Sequence, residues 1–337
     1  MIHSRRDASL VSALALVAGA SALAGPIQAP PPSAPLRLVQ TITLPGVEGR
    51  IDHLAVDLAG RRLFVCALGN GTLEVIDLES GRRVQSLTGF EEPQGVRYLS
   101  DSGLVVVASG GDGTATFLEG NPLKRTKSIP VGDDADNVRY DAAHRRVYVG
   151  RDGALVVLDP KTAAITAQIP LDGHPESFQL DAAGRIYVNV PQAQKIAVVD
   201  LAKGAVIASW PLSGVAANYP MALDEDNHRV FVATRRPPRL LAFEATTGRT
   251  VATQEIGGDA DDLFYDAIRH RLYAICGEGS VVVLAQTDAD HYRPLARVPT
   301  AQGARTGLYV PELGRLYVAV PHRTGPTAEI LVFEAGS

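Results

Sequence analysis

Two stretches of the chain carry the same acidic phrase. "GDDADNVRYDAAHRRVYVG" begins at Gly132, and "GGDADDLFYDAIRHRLYAI" begins at Gly257. Their left halves gather Asp136 and Asn137 in one copy and Asp261 and Asp262 in the other. Carboxylates brought together in a partly enclosed space repel one another unless a cation, a proton or a basic side chain intervenes. Each remedy is a different chemistry. A hard divalent ion takes such oxygens as ligands, an arginine pairs with them, and a histidine can hold the proton or work as a general base. Which of these applies depends on the elements that position the acids.

The right halves of the two phrases belong to a wider repeat. A basic residue, a branched apolar residue, an aromatic and then usually Val recur as Arg62-Leu63-Phe64-Val65, Arg146-Val147-Tyr148-Val149, Arg185-Ile186-Tyr187-Val188, Arg229-Val230-Phe231-Val232, Arg271-Leu272-Tyr273-Ala274 and Arg315-Leu316-Tyr317-Val318. Leu104-Val105-Val106-Val107 is a degenerate copy. The third position falls at residues 64, 106, 148, 187, 231, 273 and 317. Seven units with a period of about 40 residues indicate a propeller. Within each unit, alternating apolar residues between turns spaced roughly 8–12 residues apart give four short β runs and exclude helices. The last unit is one strand short, and "LRLVQTITL" from Leu36 resembles the fourth strands. The expected fold is therefore all-β, a seven-bladed β-propeller over residues 36–337, with the N-terminal strand completing the last blade. Such closure leaves no open sheet edge.

The "D-x-x-x-R-[LV]-[YF]-V" phrase, followed by "V-[IV]-D-L", resembles the YVTN-type repeat. Residues 36–335 are similar to the secreted, YncE-like seven-bladed propellers. The resemblance implies the fold and a secreted or periplasmic setting. It names no activity, because the repeat residues are those that build blades.

Aligning the units removes several apparent motifs. The Gly-rich stretches at Gly69, Gly110, Asp152 and Gly277 all fall in the turn between second and third strands, where hairpin geometry asks for positive φ, and none precedes a helix. Asp57, Asp141, Asp181, Asp224 and Asp266 end first strands and are expected to accept turn hydrogen bonds. Cys66 and Cys276 fall in different units and read as buried thiols. CxxCH, HExxH and GxSxG do not occur, which removes a covalent c-type haem and the simplest zinc-protease and serine-hydrolase readings. "TRRPPR" from Thr234 reads first as a solvated basic turn.

Other positions differ between blades although the fold asks nothing particular of them. Just before each innermost strand, at the expected channel mouth, the units carry Asp52-His53, Gln94-Gly95, Asp136-Asn137, Glu176-Ser177, Tyr219-Pro220, Asp261-Asp262 and Arg305-Thr306. Blades three and six stand three steps apart in a seven-fold ring, about 154°, so the twin phrases should face each other across the channel. The expected ligand-binding residues are Asp52, Gln94, Asn137, Glu176, Tyr219, Asp261, Asp262 and Arg305, with Arg235 from the rim. No motif demands a cofactor, but Ca2+ or Mg2+ could take Asn137, Glu176, Asp261 and Asp262 as oxygen ligands. His53 and Asp136 are the candidate bases. Arg305 could instead pair with Asp261. A basic rim of Arg151, Arg235, Arg236, His322 and Arg323 is expected around the mouth. The plainer alternative is a polar channel that binds only water.

Residues 1–24 read as an export signal. Arg5 and Arg6 start it, Ala8 to Ala24 is a small-residue apolar run, and Ala22-Leu23-Ala24 offers a cleavage site. General secretion fits better than twin-arginine export, since Ala8 and Ser9 match the latter poorly. Residues 25–35 form a Pro-rich linker. The apolar run is too short for comfortable membrane insertion. Against 37 Asp and Glu the chain sets 32 Lys and Arg, so it lacks the basic excess of a nucleic-acid binder. The expected protein is a periplasmic or secreted monomer that recognises a small polar ligand or an envelope protein. The alternatives are a metal-dependent lactone or ester hydrolase and, further off, a lyase using His53 with Tyr219 and Arg305. A quinone-dependent oxidoreductase fits least, because Trp-rich docking repeats are missing and Trp210 is the only Trp.

Overall fold

A computed structural model describes residues 34–322 and 327–336, together with Met1. The expected export signal, nearly all of the Pro-rich linker, and Arg323 lie outside the described residues. Among those described, the strands form seven four-stranded sheets, each one sequential except the last. The inner strands are Leu54–Asp57, Pro93–Leu99, Val138–Asp141, Phe178–Leu180, Ala216–Asp224, Ala260–Asp266 and Gly307–Val310, in blades one to seven. In blade seven, Leu36–Leu44 pairs antiparallel with Ala328–Ala335, with Leu36 opposite Ala335 and Leu44 opposite Ala328. The chain is thus a seven-bladed propeller closed by its N-terminal strand. No helix among the described residues is long and apolar enough to cross a membrane.

The period-2 alternation of each strand gives a blade two apolar faces, and each face must be covered by a neighbour. The core is accordingly divided into seven clusters, one at each blade interface. The repeat position fills them in order. Phe64 packs between blades one and two, Val106 between two and three, Tyr148 between three and four, and Tyr187 between four and five. Phe231, Tyr273 and Tyr317 continue the series and close the ring back to blade one. Fully burying a large apolar side chain is worth about 1.5–3 kcal/mol, so every interface is held mainly by these rows.

The turn residues behave as their types require. Asp57 accepts the Gly60 N–H at 2.8 Å, Asp181 that of Arg185 at 2.8 Å, and Asp224 that of Asn227 at 3.2 Å. Asp141 and Asp266 cap their turns in the same way. Gly71, Gly113, Gly153 and Gly279, which close the turns between second and third strands, all have positive φ. Cys66 and Cys276 are buried free thiols.

Candidate functional site

The paired residues at the channel mouth are consecutive because the backbone makes them so. In blade one, Asp52 N–H donates to the Cys66 carbonyl at 2.8 Å while Cys66 N–H donates to the His53 carbonyl at 3.1 Å, so two residues face one. The same two-against-one pairing sets Asp136 and Asn137 against Gly150, and Glu176 and Ser177 against Asn189. Where the inner strand continues further, the register skips at Gln94, at Tyr219-Pro220 and at Asp261. These are β-bulges, which re-aim side chains at the end of a strand. Successive blades are then tied at this level. His53 N–H donates to the Gln94 carbonyl at 3.2 Å, Ser177 N–H to that of Tyr219 at 3.2 Å, and Asp262 N–H to that of Arg305 at 3.1 Å.

The twin acidic phrases do related work with different partners. Asp134 and Asp259, two residues before Asp136 and Asp261, both have left-handed backbone, with φ of 54° and 57°. Asp tolerates this region better than most residues do. In blade six the two carboxylates clasp two arginines. Arg235 of blade five reaches Asp261 at 2.5 Å and Asp259 at 3.2 Å, and Arg305 of blade seven reaches the same pair at 2.9 and 3.2 Å. Arg235 also stacks 4.0 Å from the centre of the Tyr219 ring. In blade three the neighbours are weaker. Gln94 of blade two donates to Asp134 at 3.1 Å, and His174 of blade four lies 3.4 Å from Asp134 and 3.9 Å from Asp136. Blade six is neutralised by permanent cations and blade three by a titratable ring.

His53 stands between the halves. Its Nδ1 is 3.5 Å from Asp262, and its Nε2 is 3.9 Å from Asp136 and 3.8 Å from Asp52. Burial alone would lower its pKa, but the carboxylates of Asp262, Asp52 and Asp136 outweigh burial and lift it to about 10. Sequence reasoning left His53 either protonated or acting as a general base. The surrounding acids make it an imidazolium at neutral pH, a donor and a positive charge rather than a proton acceptor. Asp52, 2% exposed, is pushed up by burial to about 6 although His53 and Arg50 pull it down. Arg50 holds it at 2.6 Å. Burial would likewise raise Asp136, but the nearby His174 ring and the charges of His53 and Arg50 keep it below the ordinary value. That leaves Asp136 a weak base. Glu176 is the opposite case, since burial and the charge of Asp136 lift it to about 8.

A cavity of about 20 Å³ lies at the mouth, lined by Asp52, His53, Asp136, Asn137, Glu176 and Tyr219 among others. That volume takes a single ion or water. Several buried atoms around it have no hydrogen-bond partner, namely Asp136 Oδ1, Asn137 Oδ1 and His174 Nδ1. The Glu176 carboxyl makes no hydrogen bond or ion pair to described residues. Asp136, His174 and Glu176 each offer a donor atom within 4.8 Å of the others. This differs from the expected cation set. Asp261 is already held by two guanidiniums, and Asp262 accepts the Gly307 N–H at 2.8 Å, so neither joins that group. Of the expected set, Glu176 belongs to the group and Asn137 lines the adjoining cavity. A donor set containing an imidazole also suits a first-row transition ion better than Ca2+ or Mg2+.

The remaining expected residues fall around these walls. Gln94, Arg235 and Arg305 support the mouth through Asp134, Asp259 and Asp261 rather than lining the cavity. Arg235 turns inward, so the basic turn around it is only partly solvated; Arg236 is exposed. Arg151 bonds within its own blade, to Gln168 at 3.0 Å, and His322 pairs with Glu48. Of the expected basic rim, Arg235 is the described residue that pairs with the acids of the mouth. Sequence reasoning missed Arg50 and His174. Each lies two residues before a pair, at the position that Asp134 and Asp259 occupy in the twin phrases, and that alignment was the available signal.

Among solved structures, the chain is similar to one of the Kuenenia stuttgartiensis hydrazine synthase, with a TM-score of 0.74 and 15% identity over 86% of this chain and 98% of that one. It is also similar to a chain of a mitotic checkpoint complex, with a TM-score of 0.77 and 11% identity over 97% and 99% of the two chains. At these identities the likeness concerns the propeller fold alone. No protein-family model matches the chain, and no curated protein matches it by sequence.

Proposed function

We propose that the protein is a periplasmic or secreted binding propeller of the YVTN type, which captures a small polar ligand through a cation held at the blade-three side of the channel mouth. The observation that carries this reading is the pair of buried oxygens without partners, Asp136 Oδ1 and Asn137 Oδ1, beside the unpaired Glu176 carboxyl and the one-ion cavity. A buried acceptor left unsatisfied costs about 1–3 kcal/mol, and a bound cation would recover that cost. The repeated Arg-apolar-aromatic phrase supports the family placement, and the leader-like residues 1–24 support the compartment. The test is titration with Mn2+. Thermal stability should rise with ion concentration, and an Asp136→Asn, Glu176→Gln double variant should lose the response. A response unchanged in that variant, or none in the parent, removes the mouth as a cation site.

A second reading is a metal-dependent hydrolase of lactone or ester type. What favours it is the position of His53, which lines both the mouth cavity and a larger cavity of about 360 Å³ further along the channel. An ion at the mouth would polarise a carbonyl entering from that side, and the His53 imidazolium would stabilise the developing oxyanion. Chelator-sensitive turnover on a panel of lactones is the expected result. A panel without turnover in the Mn2+-loaded protein ends this reading and leaves the binding role standing.

A further inference from the structure

Beyond His53 the channel changes sign. Arg97, Arg139, Gln179, Phe264 and Leu308 each lie three residues after the first member of their blade's mouth pair, and all five line the 360 Å³ cavity. Arg97 is open to the water of the channel and makes no hydrogen bond or ion pair with any described residue. The protein mass around it still pulls its pKa below the ordinary guanidinium value. Arg139 is steadied by the Val138 carbonyl at 3.0 Å and the Ser177 hydroxyl at 3.2 Å, which use only part of its donor fork. Burial and the neighbouring charge of Arg97 bring its pKa down to about 10. The one carboxylate lining the cavity, Asp262, is already engaged by Gly307 and His53. Two guanidiniums with spare donors and no ion pair to a carboxylate among the described residues therefore share one cavity.

We infer that Arg97 and Arg139 form a binding site for a small organic acid, with its carboxylate on the two guanidiniums and an apolar body in the channel. Guanidinium forks match carboxylate geometry and form charge-assisted hydrogen bonds. The apolar body is indicated by Phe264 and Leu308, which are partly exposed, stand in the same row as Arg97 and Arg139 and line the same cavity. A bare inorganic anion would leave that surface wet. The volume lies near the lower end of the range of small-molecule sites, about 300–1,000 Å³. This site shares only the His53 wall with the mouth and stands independently of the cation reading.

The test is calorimetric titration of the full chain with benzoate, its neutral isostere benzamide, and inorganic phosphate. Benzoate should bind and raise the melting temperature, benzamide should not, and phosphate should bind more weakly than benzoate. Arg97→Gln and Arg139→Gln should each weaken benzoate about tenfold or more, the loss expected when a charge-assisted hydrogen bond is removed. Without ligand, Arg97→Gln should melt at the same or a higher temperature, because it relieves the repulsion with Arg139, so its effect on binding is not an effect of misfolding. Equal affinity for benzoate and benzamide, equal benzoate affinity in parent and Arg97→Gln, phosphate binding tighter than benzoate, or no binding of any of the three overturns the inference.

Discussion

The imidazole Nδ1 of His53 lies 3.5 Å from a carboxylate oxygen of Asp262, while its other nitrogen faces Asp136 across the channel at 3.9 Å. One side chain from blade one thus joins the acidic groups of blades six and three. His53→Asn should remove the charge that balances them and cost about 3–5 kcal/mol at pH 7, the range for breaking a buried ion pair. Lowering the pH to 5 should recover part of the loss, because the freed acids can then protonate. A variant with unchanged melting temperature at pH 7 would show that the imidazolium does not hold the mouth together.

The mouth also sets a pH dependence of stability for the metal-free protein. Native pKa values are raised from 3.8 to about 6 at Asp52, from 4.5 to about 8 at Glu176 and from 6.5 to about 10 at His53. In every case the folded chain keeps a proton that the unfolded chain has already released. The associated stability is present below the lower value and is lost as pH rises through the higher one. Melting temperature in the presence of chelator should therefore fall from pH 5 towards pH 10. Glu176→Gln should flatten the part of the fall between about pH 5 and pH 8. A melting temperature that climbs over this range would contradict the assignment.

Much of this was legible before any coordinates, for physical reasons. A blade cannot bury its faces alone, so selection for packing writes the same row into every unit, and Phe64 through Tyr317 announce both the count and the closure by Leu36–Leu44. The mouth pairs were legible because bulges leave consecutive residues free of packing duty. What sequence could not give was charge state. Nothing in "DH" at Asp52-His53 says that the ring will sit among three carboxylates from three blades, and so serve as a cation. Nor does spacing say that Arg235 and Arg305 will both settle on Asp261, which withdraws it from the expected ion site. Arg97 and Arg139 stand in the next channel-lining row, at a fixed offset from the pairs, where the sequence carries no repeated phrase to mark them.

The twin phrases should respond differently to the same change. Asp261→Asn strips a partner from both Arg235 and Arg305 and is expected to cost about 3–5 kcal/mol. Asp136→Asn leaves His174 and His53 able to lose or share their protons and should cost less. Urea unfolding of the two variants gives the comparison. Equal losses would mean that blades three and six are built alike.

The closing strand makes a sharper demand. Ile42 and Leu44, essentially without exposure, belong to the cluster that joins blades seven and one. Deleting residues 36–44 should empty that interface and bare the edge of Ala328–Ala335. The expected product is insoluble or lacks a cooperative melt. A soluble, cooperatively folding truncation would show that the ring can close without its nine-residue seam of Leu36 to Leu44.

The bulges that open the inner strands of blades one to six bear on descent. Side chains displaced from the packed faces can be exchanged one at a time while the seven apolar clusters stay as they are. A lineage with this scaffold can therefore try new guests by substitutions at the mouth that leave blade packing alone, provided the charges there stay balanced. Two copies of one acidic phrase, one now committed to arginines and the other still holding open oxygens, are what a duplicated blade would leave behind after its copies had parted in use.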